Sequence, residues 1–145
     1  MEFIVNNIEI LVLLHDKGLL YRRSDFIFHV NQYSWDDADR FSHVVLEQYV
    51  KNDQIRLLDL SKITYEEVYS LSEKYSRLRY VFYDFMTILA CKKMALRLVT
   101  ESSAMKMMAK EEGIKILPPR QMEEIVIRNI DINESNKILK KPDNL

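Results

Sequence analysis

Apolar residues along this chain switch repeatedly between short continuous runs and three- to four-residue spacing. Phe3, Ile4 and Val5 form a run ended by Asn6 and Asn7, which predicts a buried strand closing in a turn. Ile10, Leu11, Leu13 and Leu14 predict a helix that closes near Gly18. Residues 26–30 (FIFHV) read as a second strand. Trp35, Ala38, Phe41, Val45 and Tyr49 then recur at helical steps, predicting one long amphipathic helix. Residues 55–58 read as a short strand, and Thr64 with Glu67 as a capping box. On the helix that box opens, Tyr65, Val68, Leu71 and Tyr75 share a face.

The second half repeats the alternation. Phe85, Ile88 and Leu89 line a helix following Asp84, and residues 97–100 (RLVT) read as a buried strand. Met105, Met108 and Ala109 mark the next helix, stopped by Gly113. Ile114, Ile116 and Leu117 make a last strand, ended by Pro118 and Pro119. A further helix carries Met122, Ile125 and Val126 on one face, and the polar tail NKILKKPDNL is expected to fray. Strands alternating with helices predict an α/β fold with a parallel sheet. Residues 1–117 form the expected domain, with 118–145 a C-terminal helical extension.

Composition narrows the classes. The 145 residues are 48% hydrophobic and 30% charged, which suits one domain with a real core. A net charge of −1 provides no global field for nucleic acid. Cys91 is the only cysteine, so neither an internal disulfide nor a cysteine zinc site is available, and it reads as a buried apolar residue. His15, His29 and His43 lack metal-ligand spacing, and Met105, Met107 and Met108 read as packing residues. The opening MEFIVNNIEILVLL is too short and too polar to span a membrane, so a cytoplasmic protein is expected.

Parallel sheets place their sites at the carboxyl ends of the strands. Asn7 follows the first strand, Asp36 lies beyond the second, Ser102 follows RLVT, and Asp84 would open a helix. Each also has an ordinary role. Asn7 suits a turn, Asp36 and Asp37 a solvated first turn, and Asp84 and Ser102 helix caps. Lys92, Lys93, Arg97, Lys106 and Lys110 are expected near the edge of this site, where they would meet RNA phosphates or stay solvated. Arg22 and Arg23 carry the same ambiguity.

The stretch LVTESSAMKMMAKEEGIKIL resembles the PIN domain, the fold of VapC-like ribonuclease toxins, in its strand, Thr-led turn, helix, Gly-Ile and strand. YVKNDQIRLLDL before Tyr83 and Asp84, and the opening FIVNNIEILVLLHDKGLL, share the family's spacing. The resemblance implies a three-layer α/β/α fold with a central parallel sheet and a metal-dependent endoribonuclease of a toxin–antitoxin system. It further implies Mg²⁺ or Mn²⁺ as cofactor, RNA and an antitoxin-like protein as partners, and a homodimer. The family's acidic positions fall on Asn7, Asp36, Asp84 and Ser102. Asp36 and Asp84 would therefore hold the metal, with Glu9 and Glu101 as substitutes for the neutral Asn7 and Ser102. Charge count sets affinity in hard-cation sites, so the resemblance implies a nuclease scaffold with a weakened or lost metal site. The other reading is a catalytically inactive domain that binds RNA or protein.

Overall fold

A computed structural model describes residues 1–21, 25–77 and 79–140, with the backbone alone for residues 130–140. Arg22 and Arg23, and residues 141–145 of the polar tail, lie outside the described residues. The chain runs β1 (Glu2–Val5), α1 (Ile8–Asp16), β2 (Ile27–Val30), α2 (Gln32–Asp36), α3 (Arg40–Lys51) and β3 (Ile55–Leu57). It continues as α4 (Tyr65–Lys74), α5 (Phe82–Met94), β4 (Arg97–Val99), α6 (Ser103–Glu111), β5 (Ile116–Leu117) and α7 (Pro119–Lys140). The five strands form one sheet in the order β3-β2-β1-β4-β5, and every pairing is parallel. With helices on both faces, this is the expected three-layer α/β/α arrangement.

β1 is the centre of the sheet, and its Phe3, Ile4 and Val5 are fully buried. Alternation along the strand divides them between two cores. Phe3 and Val5 join Phe28, Val30, Ile55 and Val99 under α1, α3 and the first turns of α7, where Met122 and Val126 are buried. Ile4 and Leu98 join Val68, Leu71, Ile88, Met105 and Met108 of α4, α5 and α6 on the other face. The start of the C-terminal extension thus packs into the same core as the strands.

The expected long helix through Trp35 and Tyr49 is two helices. Asp37 closes α2, and the Asp39 carboxylate accepts from the Ser42 backbone N–H at 2.7 Å, starting α3 afresh. The break rotates the apolar stripe. Trp35, Ala38 and Val45 stay against the core, while Phe41 is 66% exposed. Leu13 and Tyr65 likewise point outward rather than along their expected faces. α5 begins at Phe82, two residues before Asp84, and β5 begins at Ile116 rather than Ile114. Gly113, at φ +76°, makes the left-handed turn out of α6 that other residues adopt at a cost.

Glu112, just past α6, joins three helices. Its carboxylate accepts from Lys74 at 2.6 Å, Lys92 at 2.9 Å and the Tyr75 hydroxyl at 2.7 Å. Burial pushes its pKa up, but these hydrogen bonds outweigh burial and hold it at about 2. A depressed carboxylate stabilises the fold above its unfolded value, near 4.3, and loses that contribution as pH falls toward its folded value. We predict that Glu112→Gln lowers stability by about 2 kcal/mol at neutral pH. In urea denaturation the gap to wild type should close between about pH 4.5 and pH 2, following that shift. A gap independent of pH would contradict the ionic origin.

Candidate functional site at the carboxyl edge of the sheet

The residues that directly follow β1, β2 and β4 are Asn6, Asn31 and Thr100. All three are turned inward. Asn31 is 4% exposed and Thr100 is 1% exposed, with Asn6 half-buried. Asn6 Nδ2 donates to Thr100 Oγ1 at 3.2 Å, tying the ends of β1 and β4. Asn31 Oδ1 accepts from the Tyr33 N–H at 2.8 Å, capping α2. Its Nδ2 contacts Thr87 Oγ1 at 3.1 Å and the Tyr83 carbonyl at 3.3 Å, fastening β2 to α5. The Tyr33 and Tyr83 rings then stack with centroids 4.0 Å apart and planes 9° apart.

The residues singled out in the sequence lie around this frame in different ways. Asn7 Oδ1 accepts from the Glu9 N–H, and its Nδ2 donates to the Glu9 carboxylate, each at 3.0 Å, so it caps α1. Ser102 Oγ accepts from the Met105 N–H at 3.3 Å and caps α6. Asp36 is the last residue of α2 and is exposed, not in the first turn of a long helix. Asp84, in the first turn of α5, accepts from the Val81 N–H at 2.9 Å. Burial raises the Asp84 pKa, and the Val81 hydrogen bond only partly offsets this. The Tyr33–Tyr83 stack brings the helices carrying Asp36 and Asp84 side by side.

A cavity of about 380 Å³ opens at the same edge and is lined by Asn6, Asn7, Glu9, Asp37 and Asp39 among others. Glu9 therefore shares a pocket with both asparagines, whereas Glu101 is exposed outside that lining. Asp39 is held low by the Ser42 N–H and hydroxyl. Mg²⁺ and Mn²⁺ need several oxygens, charged ones foremost, converging on a point. Among the described residues, no group of three or more His, Cys, Asp or Glu side chains is placed to hold a metal ion. With amides and hydroxyls at the strand ends and Asp84 committed to a backbone N–H, the residues present do not fit such an ion. The histidines are engaged elsewhere: His15 with Tyr49, His29 with Glu2, and His43 with the Trp35 carbonyl.

Most of the basic residues expected beside this edge lie at the other end of the sheet. α5 runs away from the carboxyl edge, so Lys92 and Lys93 fall in its last turn. There Lys92 pairs with Glu112 and Lys93 with Glu67. Arg97 opens β4 and lies over the Phe3 ring, 5.0 Å from its centroid. Lys106, in the first turns of α6, stays near the carboxyl edge, with Lys110 one turn further on. Another cavity, of about 420 Å³, sits at the amino edge beside Cys91, Leu96, Ile114 and Glu112. Lys92, Arg97 and Lys115 also line it, beside the C-terminal ends of α5 and α6. Burial pushes the Cys91 thiol up to about 12, so it is no nucleophile.

The chain matches no protein-family model and no curated protein sequence. Among the described residues no helix is long and apolar enough to cross a membrane.

Two predictions test this frame. Asn31→Ala should cost about 2–3 kcal/mol in urea denaturation, because it removes the α2 cap and the buried hydrogen bonds from Asn31 to Thr87 and Tyr83 on α5. A loss below half of that would show that Asn31 is not the fastener. A carboxyl group whose pKa is raised on folding favours the fold below its ordinary value and loses that contribution as pH rises through the folded value. Ionised Asp84 thus weighs against folding at neutral pH. Asp84→Asn, which keeps an acceptor for the Val81 N–H, should leave stability at pH 7 equal or higher. Asp84→Ala should lower it by about 1 kcal/mol through the lost cap. An Asn variant less stable than the Ala variant would contradict this.

Proposed function

We propose that this chain is a PIN-like domain with a lost metal site, and that it acts by binding rather than by cutting RNA. The observation that carries the reading is the Asn6–Thr100 hydrogen bond. The ends of the central strand β1 and of its neighbour β4 carry neutral groups that satisfy each other. The parallel order β3-β2-β1-β4-β5 and the Thr-led turn after β4 agree with the resemblance to VapC-like ribonuclease toxins. Descent from a toxin of a toxin–antitoxin pair fits that resemblance. Asn7 and Ser102 in capping roles, and a half-buried Asp84 with a raised pKa, agree with loss of the Mg²⁺ or Mn²⁺ chemistry. Removing one group that stabilises transition-state charge slows well-studied enzymes by roughly 10²–10³-fold, so loss of two abolishes useful turnover.

The test is incubation of the purified chain with single-stranded RNA and Mn²⁺, beside an Asp84→Ala variant. The proposal expects no cleavage above that of the variant. Manganese-dependent cleavage that disappears in the Asp84→Ala protein would establish the alternative, a working endoribonuclease built on Asp84 with help from Asp36 or Glu9.

A further inference from the structure

We propose that the cavity at the amino edge of the sheet binds the phosphate group of a small phosphate ester. This site lies at the opposite end of the strands from the edge on which the proposed function rests, and it stands apart from that reading. Lys92 in the last turn of α5, Arg97 at the start of β4 and Lys115 just before β5 all line the cavity. Arg97 and Lys115 each stand one residue before the paired Leu98 and Ile116, which sets them side by side. Like charges at such neighbouring positions repel. Among the described residues neither forms an ion pair that would offset this. Arg97 lies on the Phe3 ring and donates to the Met1 sulfur at 3.6 Å. Most of its N–H groups are thereby left without an acceptor among the described residues. Lys115 is exposed.

Charge and shape select the ligand. Glu112 is the carboxylate in the lining, and Lys74, Lys92 and the Tyr75 hydroxyl already occupy it. The C-termini of α5 and α6 add roughly half a negative charge each. With Glu112 that offsets about two of the positive charges on Lys74, Lys92, Arg97 and Lys115, and the cavity stays positive. A phosphate monoester carries about −1.5 to −2 at neutral pH. A guanidinium presents its fork to two phosphate oxygens, and lysines add point charges beside it. Cys91, Ala95, Leu96 and Ile114 form an apolar wall, which suits a compact, uncharged organic group on the ester. A polynucleotide fits poorly. The groove that adjoins the cavity along α4 shares Lys92 and Glu112 with it but adds Glu66, Glu67 and Lys74, so carboxylates outnumber lysines there.

Nuclear magnetic resonance titration of the isotope-labelled full chain tests this at constant ionic strength. The probes are phenyl phosphate, inorganic phosphate and an oligouridylate without terminal phosphates. Phenyl phosphate should shift the amides of Lys92, Leu96, Arg97, Gly113 and Lys115 to saturation. Inorganic phosphate should move the same signals with several-fold weaker affinity, because it leaves the apolar wall uncovered. The oligouridylate should leave them unmoved. Lys115→Gln, a change at an exposed side chain, should weaken phenyl phosphate by roughly tenfold. Arg97→Lys keeps the charge but loses the fork, and should weaken it as well. Lys62→Gln, in an exposed turn elsewhere, should not. Shifts missing from this cavity or spread over exposed lysines would overturn the proposal. So would affinity unmoved by Lys115→Gln, equal affinity for the ester and the inorganic ion, or saturable oligouridylate binding at the same amides.

Discussion

The central strand fixes everything else in this molecule. β1 is paired on both edges by parallel neighbours and buried on both faces. Parallel neighbours cannot be joined by tight hairpins, so each connection crosses back over a face as a helix. The crossings supply the two outer layers and bury Phe3 and Val5 on one side and Ile4 on the other. They also deliver the ends of all strands to one edge. That gathering places Asn6, Asn31 and Thr100 close to the first turns of α1, α2, α5 and α6.

What the edge can do follows from how its polar groups are spent. A buried polar group without a partner costs free energy comparable to a lost hydrogen bond. Here Asn6 and Thr100 satisfy each other, Asn31 satisfies two neighbouring helices, and Asn7 and Ser102 cap. These polar groups of the inner edge are therefore engaged in holding the fold together. Charge and aromatic surface are displaced outward, to Asp36, Asp37 and the rings of Tyr33 and Phe82. The ionic centre around Glu112 lies at the opposite end of the layer and serves to lock α4, α5 and α6 together.

The fold was largely legible in the sequence because its signals are local. Apolar runs, the Thr64 cap and Gly113 define elements whatever surrounds them. The failures came where distant or competing contacts decide. Trp35 to Tyr49 keeps helical spacing, yet Asp39 captures the Ser42 N–H and restarts the helix. The site was less legible. Asn7, Asp36, Asp84 and Ser102 were found as positions, but their hydrogen bonds show three of them in capping roles and Asp36 in solvent. Asn6, Asn31 and Thr100 were missed, although each is the first residue after an apolar run, a signal the sequence carried. Tyr33 and Tyr83 are 50 positions apart, and nothing local announces that they stack. The basic residues were misplaced because sequence proximity to Asp84 ignores that α5 carries Lys92 and Lys93 away from it.

The proposed function rests on a carboxyl edge whose polar groups are engaged in internal hydrogen bonds and not arranged to hold a metal ion. Manganese(II) added to the isotope-labelled chain would broaden the amide resonances nearest to any bound ion. The account predicts no selective broadening at Asn6, Asp84 and Thr100, only diffuse effects at exposed carboxylates such as Asp36 and Asp37. Selective loss of the Asn6, Asp84 and Thr100 signals at substoichiometric manganese, reversed by a chelator, would contradict it.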